Sequence, residues 1–135
     1  MKNFFKCHLG IGNIVEGEVL SANDNFSARY DLDRFKGIFS RPQHKLAGLS
    51  YVNKILVLNE SKGGVASAWM LYEMCSRNIA PKAIIFNKAN TILAQGAALA
   101  NLTMCDRFEV GDITSFLKTG DNVIVDPLNG YVQKK

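Results

Sequence analysis

Ile55-Leu56-Val57-Leu58-Asn59-Glu60-Ser61-Lys62-Gly63-Gly64-Val65-Ala66-Ser67-Ala68-Trp69 reads as a strand, a polar turn with two glycines, and the start of a helix. Four consecutive branched apolar residues, Ile55 to Leu58, suit a strand covered on both faces rather than one that alternates between core and solvent. Beyond the turn, Val65, Ala68, Trp69, Tyr72 and Cys75 recur at three- and four-residue steps, the spacing of an apolar helix stripe. Trp69 and Tyr72 are accordingly expected in the core. A glycine turn that opens a helix leaves backbone N–H groups free at one spot, and the helix dipole makes that spot favour an anion. Lys62 adds a full positive charge there. The plain alternative is that Gly63-Gly64 only turns the chain between strand and helix.

Outward from this unit, the chain alternates strand and helix. Asn78-Ile79-Ala80-Pro81 ends the first helix at about Arg77, because Pro81 disfavours helical geometry at the residue before it. Ala83–Phe86 is a second buried strand. Thr91 to Asn101 is a helix whose Ala94, Gly96, Ala97, Ala98 and Ala100 imply close packing on a sheet. Thr103–Cys105 is a short strand. Asp112 can cap a brief helical turn, and Asn129-Gly130 marks a hairpin between Val123–Val125 and Tyr131-Val132.

Upstream, Ile14–Leu20 is the first strand, closed by Ser21-Ala22-Asn23-Asp24-Asn25. Phe26 to Gly48 shows little periodicity and reads as a long excursion, the kind of loop that carries function or packs on a partner. Within it, Asp31 and Asp33 read as solvated turn residues, and His44 as a residue that orders the loop by hydrogen bonding. Strand–helix alternation flanked by hairpin strands suggests an α/β domain of layered β/β/α or three-layer architecture, spanning residues 1–135 as one unit.

Composition excludes several classes. Apolar residues make up 47% of the chain and the net charge is only +4, with Lys and Arg scattered, so nucleic-acid binding is not expected. Cys7, Cys75 and Cys105 lie far apart without metal-ligand spacing, which suggests free thiols in a reducing cytoplasm and no metal site in this chain. Cys75 falls on the helix stripe and is expected in the core. Lys6 and His8 interrupt the N-terminal segment before an apolar run develops, so no signal peptide is expected, and no segment reads as a membrane span.

The ordered set of features resembles the small, swivel-domain subunit of the aconitase X family of hydro-lyases. It consists of Gly17-Glu18, Gly37, His44-x-Leu46-x-Gly48, the Lys62-Gly63 turn, Gln95-Gly96-Ala97, Asp106, Thr119-Gly120-Asp121 and Gly130. The resemblance implies a swivelling β/β/α domain that closes over a large subunit holding an iron–sulfur cluster and a small hydroxy-acid substrate. No cofactor is implied in this chain itself. Substrate binding would fall on Ser61, Lys62, Gly63 and Gly64. The family's turn reads glycine, basic residue, glycine, serine, with the serine as the proton-abstracting base, and here that last slot is Gly64. The base is therefore lost or relocated, with Ser67 or Ser61 as the nearby hydroxyls; Lys62 could stabilise a serine alkoxide. A non-catalytic anion-binding or assembly module of the same fold is the alternative.

Overall fold

The computed structural model describes residues 3–135. Seven strands form one sheet in the order β1-β9-β8-β2-β5-β6-β7. These are β1 (Phe4–Lys6), β2 (Val15–Ser21), β5 (Ile55–Glu60), β6 (Ala83–Lys88), β7 (Thr103–Cys105), β8 (Asn122–Asp126) and β9 (Tyr131–Lys134). A separate two-stranded ladder pairs β3 (Leu32–Asp33) with β4 (Ile38–Phe39). β2, β5, β6 and β7 run parallel, whereas β8, β9 and β1 add on antiparallel. The parallel neighbours β5, β6 and β7 are joined by helices α1 (Val65–Ser76) and α2 (Thr91–Ala100), as parallel pairing requires a crossover.

β5 shows why the sheet divides the core. Its side chains alternate between two apolar clusters, as the pleat dictates. Leu56 and Leu58 point into one with Ile84, Phe86, Leu71, Met74 and Leu93, beneath the helices. Ile55 and Val57 point into the other with Ala83, Ile85, Phe5, Val123, Val125 and Val132. The antiparallel strands thus fold across the face opposite the helices, and the result is the expected β/β/α layering with a mixed sheet.

Four local points depart from the expectations or add to them. First, the apolar stripe of α1 faces outward: Val65, Trp69 (61% exposed) and Tyr72 lie at the surface, and Ser67, Leu71 and Met74 are the buried positions. The helix is apolar on nearly every side, so spacing alone does not pick its inner face. Leu71 and Met74 fill the core, and Gly96 of α2 abuts Ala68, so closely that a Cβ on Gly96 would lie 2.7 Å from the Ala68 Cα. Cys75 is half-buried at the edge of this core. Second, the 26–48 excursion, expected to carry function or pack on a partner, also fills its own core: Phe26, Leu32, Phe39 and Leu46 are buried on the helix side, joined by Tyr51 just beyond. Third, Asp31 is buried rather than solvated. It accepts from the Ser27 N–H at 2.8 Å and from Arg41 Nε at 2.6 Å, so the charge is paired where it leaves water. Fourth, β1 had no counterpart in the sequence reading.

Candidate functional site

The parallel strands end at one edge, where the first turns of both helices begin side by side. This is the edge at which open α/β sheets bind ligands. The Ser61–Gly64 turn is fixed there by three hydrogen bonds. The Lys62 N–H donates to the Phe26 carbonyl at 2.7 Å, which ties the turn to the excursion. The Ser61 hydroxyl accepts from the Asn90 N–H at 2.7 Å. The Asn90 side-chain amide donates to the Gly63 carbonyl at 3.3 Å, while its oxygen caps α2 through the Leu93 N–H at 2.7 Å. Asn90 therefore joins the two helix starts, a role that sequence reasoning missed. Its signal was a polar residue directly before a helical run, the ordinary mark of an N-cap.

The turn's own conformation needs glycine once. Gly63 has φ of +106°, and a Cβ on it would overlap the Ser67 hydroxyl. Gly64 is different. It sits at the N-cap of α1 with φ of −125° and caps nothing through a side chain, and a Cβ there would meet no atom within 4 Å. The slot where a serine is expected in the family is thus vacant but open. Ser67 lies one turn into α1, 2% exposed, with its hydroxyl packed beneath Gly63. Ser61, by contrast, already has its oxygen engaged by Asn90.

Lys62 stands over the turn, with Glu60 the nearest carboxylate at 3.8 Å. Lys88 is exposed at the end of β6, and together Glu60, Ser61, Lys62, Lys88, Ala89 and Asn90 line a shallow cavity of about 200 Å³. Two ammonium groups beside two helix N-termini make an anion-accepting surface, suited to a carboxylate or phosphate. The structure brings Ser61, Lys62, Gly63, Gly64 and Ser67 into one place.

Behind this edge a polar network holds the strand ends in register. Asn87 donates to Asn59 at 3.0 Å and to Asp112 at 2.8 Å, and its own oxygen accepts from the Ile113 N–H. Asp112 caps the short helical turn Ile113–Ser115. The Thr114 hydroxyl and the Asn87 amide, both donating to its carboxylate, hold its pKa below the usual range. His44, buried and stacked on Phe39, bonds the Asn25 carbonyl through Nε2 at 2.7 Å and accepts from the Leu46 N–H through Nδ1 at 3.0 Å. Through these bonds His44 orders the loop, tying Asn25 to Leu46.

The cysteines do not fit an iron–sulfur cluster. Among the described residues, no three His, Cys, Asp or Glu side chains converge as a metal site. Cys7 and Cys105 share the core opposite the helices, whereas Cys75 belongs to α1 on the other face. Hydrogen bonding between the two free thiols lowers the pKa of Cys7, and the same interaction together with burial raises that of Cys105. Among the described residues, no helix is long and apolar enough to cross a membrane.

Comparison with known proteins agrees with this architecture. A family model described as the aconitase X swivel domain matches residues 4–134. The phosphomevalonate dehydratase small subunit of Methanosarcina mazei is 36% identical over 119 residues, 88% of this chain and 82% of the relative. That of Thermococcus kodakarensis is 36% identical over 123 residues, covering 91% and 90%. Among solved structures, the holo-form of Thermococcus kodakaraensis aconitase X superposes with a TM-score of 0.89 at 34% identity, covering 99% of both chains. A relative solved by solution NMR superposes with a TM-score of 0.86 at 32% identity, covering 98% of both.

Proposed function

The chain belongs to the aconitase X swivel-domain family, and from that premise we propose that it is the small subunit of a hydro-lyase that dehydrates a hydroxy acid with a large-subunit partner. The relatives' shared name makes phosphomevalonate the first substrate to test. The observation that carries the reading is the vacant, cation-flanked turn at the joined N-termini of α1 and α2. There a substrate carboxylate receives the free N–H groups of the first turn of α1 and the Lys62 ammonium, which orient it and offset its charge. Gly63 lets the ligand approach the main chain closely.

The iron–sulfur cluster belongs to the partner in this proposal, since the cysteines here do not fit one, and location in the cytoplasm follows from the free thiols. Proton abstraction falls on Ser67 rather than Ser61. Ser61 is spent on Asn90, while the Ser67 hydroxyl lies against Gly63, next to the vacant slot, where Lys62 can favour its ionised form. A non-catalytic module of the same fold is the weaker reading, because it rests on Gly64 alone.

The test is co-expression with a large subunit of the family. Complex formation and dehydration of phosphomevalonate are expected, with the lone chain inactive and free of stoichiometric iron. Ser67→Ala should lower kcat at least tenfold without weakening the complex. Iron–sulfur in the lone chain, turnover by it, or failure of the subunits to associate would overturn the proposal.

A further inference from the structure

Among the described residues, four other than glycine have positive φ, and three of them are asparagines, which tolerate that conformation. The fourth is Arg107, with φ of +60°, immediately after β7 and Asp106. An arginine has no local side-chain reason to sit there, so its surroundings hold it: the Arg107 N–H donates to the Asn87 carbonyl at 3.1 Å, and the His8 N–H to that of Asp106 at 3.3 Å. Strain kept at a ligand-binding edge is a pointer to function.

Among the described residues, no hydrogen bond commits the guanidinium elsewhere. Its nearest carboxylate, Asp106, is 3.7 Å away and already accepts the Ala89 N–H at 3.0 Å, and the Arg107 side chain is half exposed. Arg107 also stands where two cavities meet. One, of about 280 Å³, shares Ala89 and Asn90 with the cavity beside Lys62; the other, of about 640 Å³, reaches Lys6 and His8. A continuous furrow therefore runs along the carboxyl edge of the sheet, from the Lys62 turn past Asn90 to Arg107.

We propose that Arg107 binds the phosphate of a doubly anionic hydroxy acid whose carboxylate lies at the Lys62 turn, and so sets the specificity for phosphorylated substrate. This rests on the dehydratase reading above. The assignment of ends follows from chemistry. The proton removed in dehydration is next to the carboxylate, so the carboxylate belongs at the turn with the vacant slot. The remote phosphate then falls at the far end, where a planar guanidinium can offer it two parallel hydrogen bonds.

The test compares phosphomevalonate with mevalonate, which lacks the phosphate, in the assembled two-subunit complex. Arg107→Gln should raise KM for phosphomevalonate at least tenfold, leave kcat within twofold, and leave any mevalonate turnover unchanged. Arg107→Gly, which relieves the positive φ, should show the same KM defect in a protein with a higher Tm, which separates recognition from folding. Wild-type KM in both variants, or an equal loss with mevalonate, would overturn the proposal. If the wild-type complex dehydrates neither compound, the dehydratase reading fails. The inference is then decided by amide NMR titration of the full chain with phosphomevalonate: shifts at residues 105–108 that vanish in Arg107→Gln support it, and shifts unaffected by the substitution refute it.

Discussion

Gly64→Ser makes the turn declare its purpose. Gly64 has φ of −125° and ψ of −142°, and a Cβ there meets nothing within 4 Å, so serine enters without displacing an atom. Two small gains follow. A serine at the N-cap of α1 accepts from a free first-turn N–H, worth a few tenths of a kcal/mol over glycine. Replacing glycine also lowers the freedom of the unfolded chain, worth about 0.4–1 kcal/mol. For 135 residues the unfolding entropy is about 0.28 kcal/mol/K, so a combined gain of about 1 kcal/mol raises Tm by about 3–4 °C. Scanning calorimetry of the full chain reads this directly. In the assembled complex the same hydroxyl occupies the family's base position. Positioned proton transfer contributes about 10²–10⁴-fold, so kcat should rise by at least tenfold. A second substitution, Ser67→Ala, should then be nearly silent. A lowered Tm would refute the geometry of the turn, and a raised Tm with unchanged kcat would refute the claim that the slot faces substrate.

What could be read from the sequence was what neighbours in sequence decide. Ile55–Leu58 announced a strand buried on both faces because each side feeds a separate core, which leaves no polar position in the run. Gly96 and its alanines announced close packing, but at Gly96 the neighbour is α1 rather than the sheet, since a Cβ there would strike Ala68. The Lys62-Gly63-Gly64 turn was visible because one strand, one turn and one helix make it. The face of α1 was not visible: Trp69 and Tyr72 form as good a stripe as Leu71 and Met74, and only the position of α2 chooses between them. β1 is three residues long and pairs with β9, whose residues lie at the other end of the chain, so no local pattern marks it. Asp31 looked solvated because its partner, Arg41, is ten residues away. Asn90 reaches the turn, and Arg107 the cavity beside it, from the two following strand ends, and parallel pairing brings them to the same edge.

Three further substitutions probe the same edge and the helix layer. Gly63→Ala should destabilise the chain by about 2 kcal/mol in urea unfolding, since φ of +106° strains alanine and its Cβ would overlap the Ser67 hydroxyl; a change under about 0.5 kcal/mol would contradict the strained turn. Gly96→Ala should cost about 1–3 kcal/mol in the same assay, because α1 and α2 must separate to clear the contact with Ala68; equal stability would mean that the helices are not tightly packed. Asp112→Asn is expected to lose about 1 kcal/mol near pH 7, because a neutral amide replaces the charged acceptor of the Thr114 hydroxyl and the Asn87 amide. The loss carries a pH signature. The Thr114 and Asn87 bonds depress the folded-state pKa of Asp112 below the unfolded carboxylate value of about 3.9. A depressed acid stabilises the fold above its unfolded pKa and stops doing so as pH falls through the folded one. The difference between wild type and variant should therefore be full above about pH 5 and shrink below pH 4. A difference that stays constant from pH 7 to pH 3 would mean that the ionised carboxylate is not what holds the strand ends together.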